Sequence, residues 1–385
     1  MTVWLESPFD SLPTEGFRKQ RYWMMAEAFA SAGHRVVYWT SDFSHAKKRT
    51  RVAGAGGDAR FELVMLRTLP YAKNVCLQRI RSHRAYAREW ERQAMARVSG
   101  GAPRPDLIVV SVPPVSTGAV AIRLARLYGA RLVADVQDAW PETFRRLLPR
   151  GFRWMGGLLL GRMARSVRRL YRTADLVTGV CDRYRDLVLS AGARDYCRAY
   201  LGIELPPVSR RQTTDDTSAP LRLAYVGNLG TSYDLATVVA GLRRLRARRP
   251  VTLDVAGFGG ELPAAEGVRF HGLLGKEELR RLLESCDVGV IPMRADSYVG
   301  LPNKLGEYAA AGLRIVSSLS GETETLIDRY RCGATYAPGD ADAFAEAVER
   351  AALLPPAAAY ELCARELSAE KIYREYVSRC EELVK

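Results

Sequence analysis

Histidine is scarce in this chain, with four among 385 residues. No two of them sit at metal-ligand spacing, so no metal site is expected. The seven cysteines, at positions 76, 181, 197, 286, 332, 363 and 380, are odd in number and include no C-x-x-C pair. That pattern argues against a disulfide framework and for a reducing compartment. No apolar run reaches bilayer-spanning length. The most suggestive stretch, Trp154-Met-Gly-Gly-Leu-Leu-Leu160, is far too short and lies between arginines. The N-terminus, Met-Thr-Val-Trp-Leu-Glu, has no basic segment ahead of an apolar one, so no secretion signal is expected.

What is present is ordinary globular material, 48% apolar and 26% charged. At roughly 150 residues per domain the length accommodates two to three domains, with two expected. The net charge of +14 is unevenly placed. Residues 1–200 carry 34 Lys/Arg against 17 Asp/Glu, whereas residues 201–385 carry 23 against 26. The first half is therefore expected to meet something anionic: nucleic acid, a lipid surface or a phosphorylated substrate.

Hydrophobic patterning gives two similar halves. In the first, short β-branched runs at 3–7, 35–40, 61–66, 107–112, 131–136, 176–180 and 198–201 read as strands. Helix-period segments at 18–32, 78–98 and 117–128 lie between them. Buried strands alternating with helices read as βαβ units around a parallel sheet. Residues 204–219 are polar, rich in Pro, Ser and Thr, and without period, as a linker is. The alternation then restarts, with strands expected at 221–226, 252–256, 268–271, 288–292, 314–318 and 334–336, and helices at 235–245, 276–285, 304–311 and 341–352. The expected domains are 1–203 and 220–363, followed by a terminal helical segment at 364–385. In such layouts ligands bind at the carboxyl ends of the strands, which makes a cleft between lobes the default site.

The segment with most chemical content runs from Arg294 to Gly312, R-A-D-S-Y-V-G-L-P-N-K-L-G-E-Y-A-A-A-G. A strand ends near Pro292, and Pro302 is placed to start a helix at its first position. The free N–H groups and dipole of a helix N-terminus suit a phosphate. Lys304 in that first turn is unfavourable on dipole grounds alone, and an incoming anion offsets this. Glu307, one turn in, can accept two hydrogen bonds from a vicinal diol such as a ribose. The same residues also fit an ordinary crossover with a solvated Lys/Glu pair.

This segment resembles the P-x-K-x-x-E-Y-x-A-x-G signature of family 4 glycosyltransferases of the GT-B fold. Tyr225-Val-Gly-Asn-Leu-Gly230 is similar to that family's first strand and glycine loop of the second domain. Val255-Ala-Gly-Phe-Gly259, Val268-Arg-Phe-His-Gly-Leu273 and the start at Ala341-Asp342 follow in the family's order. In the first half, Ala32-Gly-His-Arg-Val36 and Asp135-Val-Gln-Asp-Ala-Trp-Pro-Glu142 resemble segments of bacterial members that build cell-surface polysaccharides. The resemblance implies an α/β GT-B fold, two Rossmann-like doubly wound domains facing a central cleft, with residues 364–385 crossing back to the first domain. It implies a retaining, metal-independent hexosyl transfer from a nucleoside-diphosphate sugar, UDP foremost, with no cofactor. The acceptor it implies is lipid-linked or a polysaccharide precursor, at the cytoplasmic membrane face.

Carried over residue by residue, the resemblance gives Glu307 the ribose. Asn303 and Lys304 take the pyrophosphate, and Gly300 and Leu301 the donor sugar. Gly227, Asn228 and Gly230 form the glycine loop, which alone is only G-x-x-G, and Gly257 and His271 lie near the nucleotide, although His271, after Phe270 at a strand end, reads first as a structural histidine. Gly16 is expected to approach the donor or acceptor. Asp138 either contacts the sugar or caps the turn before Trp140-Pro141. Asp138, Lys304 and Glu307 are the expected catalytic residues. Two departures stand out. Most relatives carry a second glutamate where this chain has Val299, and many carry a basic pair in the loop that here reads Gly227-Asn-Leu-Gly-Thr-Ser-Tyr-Asp234. Lys304 and Arg294 are expected to supply the missing positive charge. Asp340-Ala-Asp342 imitates a D-x-D metal motif, but it follows Pro338-Gly339 and opens a helix, so Asp340 reads as an N-cap.

Between Thr143 and Ala174 there are nine arginines and no acids, interleaved with Trp154, Leu158, Leu159, Leu160 and Met163. The stretch Arg145–Arg172 therefore reads as an anchor on anionic lipid, against the alternative of a solvated face. A second basic stretch spans Arg79–Arg97. No RNA- or DNA-binding signature supports a nucleic-acid partner. A UDP-sugar epimerase of the same fold would want more acid/base side chains than this histidine-poor chain offers. A non-catalytic scaffold in polysaccharide assembly has only Val299 in its favour.

Overall fold

The computed structural model describes residues 1–51, 58–74, 76–147, 156–206, 220–230, 232–260 and 264–385, without the side chains of 145–147 and 156–159. Trp154 and most of the expected linker lie outside the described residues, as do Leu158 and Leu159 as side chains. The chain divides into two compact units, Met1–Ala199 with Glu370–Lys385, and Tyr200–Ala369.

The first unit is built on strands β1 (Thr2–Glu6), β2 (Arg35–Ser41), β5 (Glu62–Leu66), β6 (Leu107–Val112), β7 (Arg131–Val136), β8 (Leu176–Gly179) and β9 (Tyr196–Arg198), in the order β5-β2-β1-β6-β7-β8-β9. Every pairing is parallel. All six residues of β6, Leu-Ile-Val-Val-Ser-Val, are buried. A parallel sheet covered by helices on both faces leaves no solvent side for polar residues to alternate onto. The helices are α1 (Arg21–Ser31), α2 (Leu77–Ser99), α3 (Val115–Tyr128), α4 (Glu142–Leu147), α5 (Gly156–Thr173) and α6 (Arg183–Ser190). A two-stranded antiparallel hairpin, β3 (Phe43–Ser44) and β4 (Arg49–Thr50), follows β2.

The second unit repeats the scheme with six parallel strands in the order β12-β11-β10-β13-β14-β15. They are β10 (Leu221–Asn228), β11 (Val251–Phe258), β12 (Val268–Gly272), β13 (Val288–Ile291), β14 (Arg314–Ser317) and β15 (Gly333–Thr335). Helices α7 (Leu235–Arg246), α8 (Lys276–Glu284), α9 (Asn303–Ala310), α10 (Glu322–Tyr330), α11 (Ala341–Ala352) and α12 (Ala357–Leu362) surround them. Leu223, Leu253, Val288, Val238, Leu242 and Phe344 close the core between this sheet and α7 and α11. The last helix, α13 (Ala369–Val384), packs on the first unit, where the Tyr376 ring meets Phe29 edge-on at 6.3 Å.

Strand order reverses once in each sheet, between β1 and β6 and between β10 and β13. These switch points open a crevice beyond the strands' carboxyl ends, because the following connections leave to opposite faces. Helices α6, α10 and α12 had no counterpart in the sequence pattern; each is short, and α6 buries only Tyr184 and Val188. The expected strand at 198–201 sits two positions earlier, at Tyr196–Arg198.

Candidate functional site

The expected donor residues gather at the switch point of the second unit. The end of β10 runs beside the end of β11, with Gly227 opposite Gly257. A Cβ on Gly257 would collide with the Gly227 carbonyl, and one on Gly227 would collide with the Lys304 ammonium. Gly227 also has φ +124, which side chains rarely adopt. These two glycines therefore bring strand against strand and lysine against strand. In the loop that follows, Asn228 Oδ1 accepts from the Gly230 amide at 2.6 Å, which fixes the turn. The Tyr308 hydroxyl accepts from the Val226 amide at 2.8 Å and ties α9 to β10.

Pro302 does not occupy the first helical position that the sequence predicts. It is the N-cap, in extended backbone (φ −79, ψ 143), and Asn303 opens the helix. The carbonyl of Pro302 accepts from the Leu305 amide at 3.0 Å. The helix is thereby aimed one residue later, with Lys304 in its first turn. Lys304 is 6% exposed. Its ammonium lies 4.8 Å from the centre of the Tyr225 ring and 4.4 Å from that of Tyr233. Burial pulls its pKa down to about 8, while the nearby Glu307 carboxylate acts to raise it. Two phenol faces attract a cation through their quadrupoles, yet they do not neutralise it.

Around this centre, Glu307 is half-buried and Asn303 exposed. The Gly300 carbonyl is buried and accepts from the Thr323 hydroxyl at 2.9 Å. Leu301 is half-buried. Arg294 is exposed in the loop after β13, its amide bonded to the Ser232 carbonyl at 3.2 Å. His271 is tied elsewhere: its Nε2 meets Asp254 Oδ1 at 2.8 Å, and the wholly buried Asp254 also accepts from Arg222. That contact accounts for His271 within the β11–β12 pair. Asp340 caps α11, its Oδ1 accepting from the amides of Asp342 and Ala343 at 2.9 Å each.

Two expected residues belong to the first unit. Gly16 closes a 3-10 turn over Pro13–Glu15 in left-handed backbone, φ 84. Asp138 has both carboxylate oxygens engaged, one accepting from Trp140 Nε1 at 3.0 Å and the other from the Thr143 hydroxyl at 2.8 Å. Of its two expected roles, these bonds are those of the turn cap. Sequence reasoning missed Tyr233, because an aromatic after a glycine loop carries no signal until the fold turns it over Lys304. The Tyr225 ring was legible only as part of a strand.

The second unit thus presents, at one switch point, helix-start amides, a buried ammonium and a carboxylate one turn on. That set is fit to hold an anion and a diol together. Residues 220–352 match the model for glycosyl transferases group 1, and residues 19–202 match that for a glycosyl transferase 4-like domain. Among curated proteins none matches the chain in sequence. Similar solved structures include sucrose-phosphate synthase of Thermosynechococcus elongatus, with 16% identity and TM-score 0.67 over 100% of this chain and 96% of that one. Anabaena HepE in complex with UDP and glucose has 13% identity and TM-score 0.66, over 99% and 100%. The lipopolysaccharide outer core galactosyltransferase WaaB has 14% identity and TM-score 0.62, over 99% of each chain. The two matched spans, on two Rossmann-like sheets, make this chain a GT-B glycosyltransferase of the family 4-like type.

Proposed function

We propose that this glycosyltransferase moves a hexose from a nucleoside-diphosphate sugar, a UDP-sugar, to a lipid-linked or polysaccharide-precursor acceptor at the cytoplasmic membrane face, with retention and without a bound metal. The observation that carries the donor reading is Lys304, an ammonium 6% exposed at the start of α9 with Glu307 one turn on. A diphosphate at that helix end meets amide N–H groups and the ammonium, and the ribose diol meets Glu307. HepE, solved with UDP and glucose, supports the choice of donor class.

In the proposed step the acceptor hydroxyl oxygen bonds to the anomeric carbon on the face that the diphosphate leaves. The anomeric carbon–oxygen bond to phosphate breaks, and the departing phosphate oxygen takes the hydroxyl proton. The protein's part is to hold the growing negative charge on the diphosphate with Lys304 and preorganised amides, which need no reorganisation during the reaction. No strong general base is required by that route.

The membrane reading draws on α5. Arg162, Arg165, Arg168, Arg169 and Arg172 are exposed, while Val167, Leu170 and Tyr171 are turned into the unit. The described side chains of the helix therefore offer charge to an anionic surface, with Leu160 and Met163 half-buried beside them. No helix among the described residues is long and apolar enough to cross a membrane.

The test of the donor reading is Glu307→Gln, followed by titration calorimetry with UDP. Loss of a hydrogen-bonded charge at the diol is expected to weaken binding by about tenfold or more, with the melting temperature unchanged. Unaltered affinity overturns the ribose assignment.

A further inference from the structure

At the carboxyl ends of β1 and β2 in the first unit there is a second cluster that the donor reading does not use. The Arg79 guanidinium, in the first turn of α2, lies 5.2 Å from the Phe9 ring centre, 5.1 Å from that of Trp140 and 5.9 Å from that of Tyr71. Its Nε donates to His83 Nε2 at 3.2 Å, and a terminal nitrogen donates to the Asn74 carbonyl at 2.7 Å. The Lys48 ammonium sits over the other cation's partner, 4.8 Å from the Tyr71 ring centre, and donates to Asn74 Oδ1 at 2.6 Å. His45 shares a 2.5 Å hydrogen bond with the Tyr71 hydroxyl. Two cations thus crowd one ring, and among the described residues no carboxylate forms an ion pair with either. Asp138, the acid nearest in effect to Arg79, already accepts from Trp140 and Thr143.

The electrostatics agree with an unfilled anion seat. Burial, together with Lys48 and Arg79, pushes His45 down to about 3. Burial, Arg79 and His45 push His83 down to about 3 as well. Burial and the mutual repulsion also hold Lys48 below its ordinary value. Both imidazoles are therefore neutral near pH 7, and the surplus positive charge stays on Arg79 and Lys48. Tyr71 and His83 also line a small open pocket of about 10 Å³, together with Phe9, Ser41 and Phe43.

Along the chain the cluster's residues are flanked by exposed apolar side chains, beside the exposed Lys73, Gln78 and Arg81. Leu69 is 50% exposed, Leu77 73% and Ile80 42%. Leu77 and Ile80, three apart, share one face of α2, whereas Arg79 and His83, four apart and hydrogen-bonded to each other, share another, from which His83 lines the pocket. Apolar side chains left in water beside a cationic seat suit a ligand that brings hydrocarbon with its phosphate. A free phosphate gains nothing from them.

We propose that Arg79 and Lys48 hold the phosphate or diphosphate of an amphiphile, a diphosphate on a hydrocarbon chain whose tail lies along Leu69, Leu77 and Ile80, as the lipid-borne acceptor of the transfer. The inference rests on the transferase reading; it narrows the proposed acceptor to a diphosphate amphiphile and names the residues that bind it. Arg79 acts as a charge clamp braced by three aromatic rings, so it needs little ordering when the ligand arrives.

The test uses the full chain and titration calorimetry with farnesyl diphosphate below its micelle concentration. Inorganic diphosphate, farnesol and UDP are measured in parallel. Farnesyl diphosphate is expected to bind at least about tenfold tighter than inorganic diphosphate, with no competition from UDP. Arg79→Gln and Lys48→Gln are each expected to weaken it about tenfold while UDP affinity holds, and Arg126→Gln, on an exposed stretch of α3, is expected to change nothing. Should Arg79→Gln fail to fold for loss of its aromatic stack, Lys48→Gln, which leaves that stack in place, decides. UDP binding without farnesyl diphosphate binding, or farnesyl diphosphate binding indifferent to both variants, overturns the inference and leaves the donor reading standing. Displacement by UDP overturns it by placing the ligand in the donor site, and equal affinity for inorganic diphosphate overturns the amphiphile. Farnesyl diphosphate binding that both variants weaken, with no UDP binding, supports the inference and overturns the choice of a UDP-sugar as donor.

Discussion

At the residue scale the decisive group is Lys304. A charged lysine over two phenol rings, with its pKa at about 8 through burial, is less comfortable than one in water. The folded state loses this proton before the unfolded state does, so between about 8 and the ordinary value near 10.5 the unfolded chain binds more protons and Lys304 makes the empty protein more stable as pH rises. Donor binding has the opposite sign. The diphosphate needs the ammonium, so UDP affinity is expected to be full below pH 8 and to fall as pH rises through it. Calorimetry across pH 6.5 to 9.5, roughly the span of the transition, is expected to show proton uptake on binding near its midpoint. Lys304→Met is expected to flatten that profile as well as weaken binding; a profile that keeps its shape in the variant assigns the titration to another group. The sequence made Lys304 and Glu307 visible because a cation in a helix's first turn contradicts the dipole. It hid Tyr233, whose relevance exists only where the chain folds back across α9.

At the scale of elements, α1, β7, β8 and α13 meet at one buried ion pair. Arg21 donates through Nε and a terminal nitrogen to Asp135 at 2.8 and 2.7 Å, with the two side chains 1% and 0% exposed. The Thr178 hydroxyl donates to the same carboxylate at 2.7 Å, and the guanidinium lies 5.8 and 5.7 Å from the Tyr373 and Tyr376 ring centres. Removing one partner strands the other charge out of water, which costs on the order of 3–5 kcal/mol. Arg21→Leu is therefore expected to lower the unfolding free energy by about that amount in urea titration, with α13 exchanging amide hydrogens faster. A loss below about 1 kcal/mol would mean that Asp135 finds water when its partner goes. Neither residue announced itself in the sequence. Arg21 opens α1 directly before the apolar run Tyr22, Trp23, Met24 and Met25, and only the distance closed by folding, 114 positions along the chain, explains it. The helices α6, α10 and α12 were hidden for a related reason: in so few turns, a helical period rests on two or three apolar residues.

At the scale of the whole molecule the surplus of base in residues 1–200 is the feature that composition alone exposes. With five arginines of α5 exposed and Val167, Leu170 and Tyr171 packed inward, association with anionic liposomes is expected to be electrostatic. Flotation is expected at low salt and to be lost near 0.5 M, where the screening length falls to roughly 4 Å. Salt-resistant flotation would instead require inserted apolar groups. The sequence by itself determined the two parallel-sheet units, because buried strands between helices leave continuous apolar runs that only such sheets accommodate. It also determined the signature around Pro302, Lys304 and Glu307, whose spacing lies within a single helix. Tertiary structure alone decided which glycines serve packing, where Lys304 finds its aromatic rings, and that Arg79 and Lys48 share the Tyr71 ring. Those contacts join residues far apart in the chain, and hydrophobic period records only which face of an element is buried, never what it is buried against.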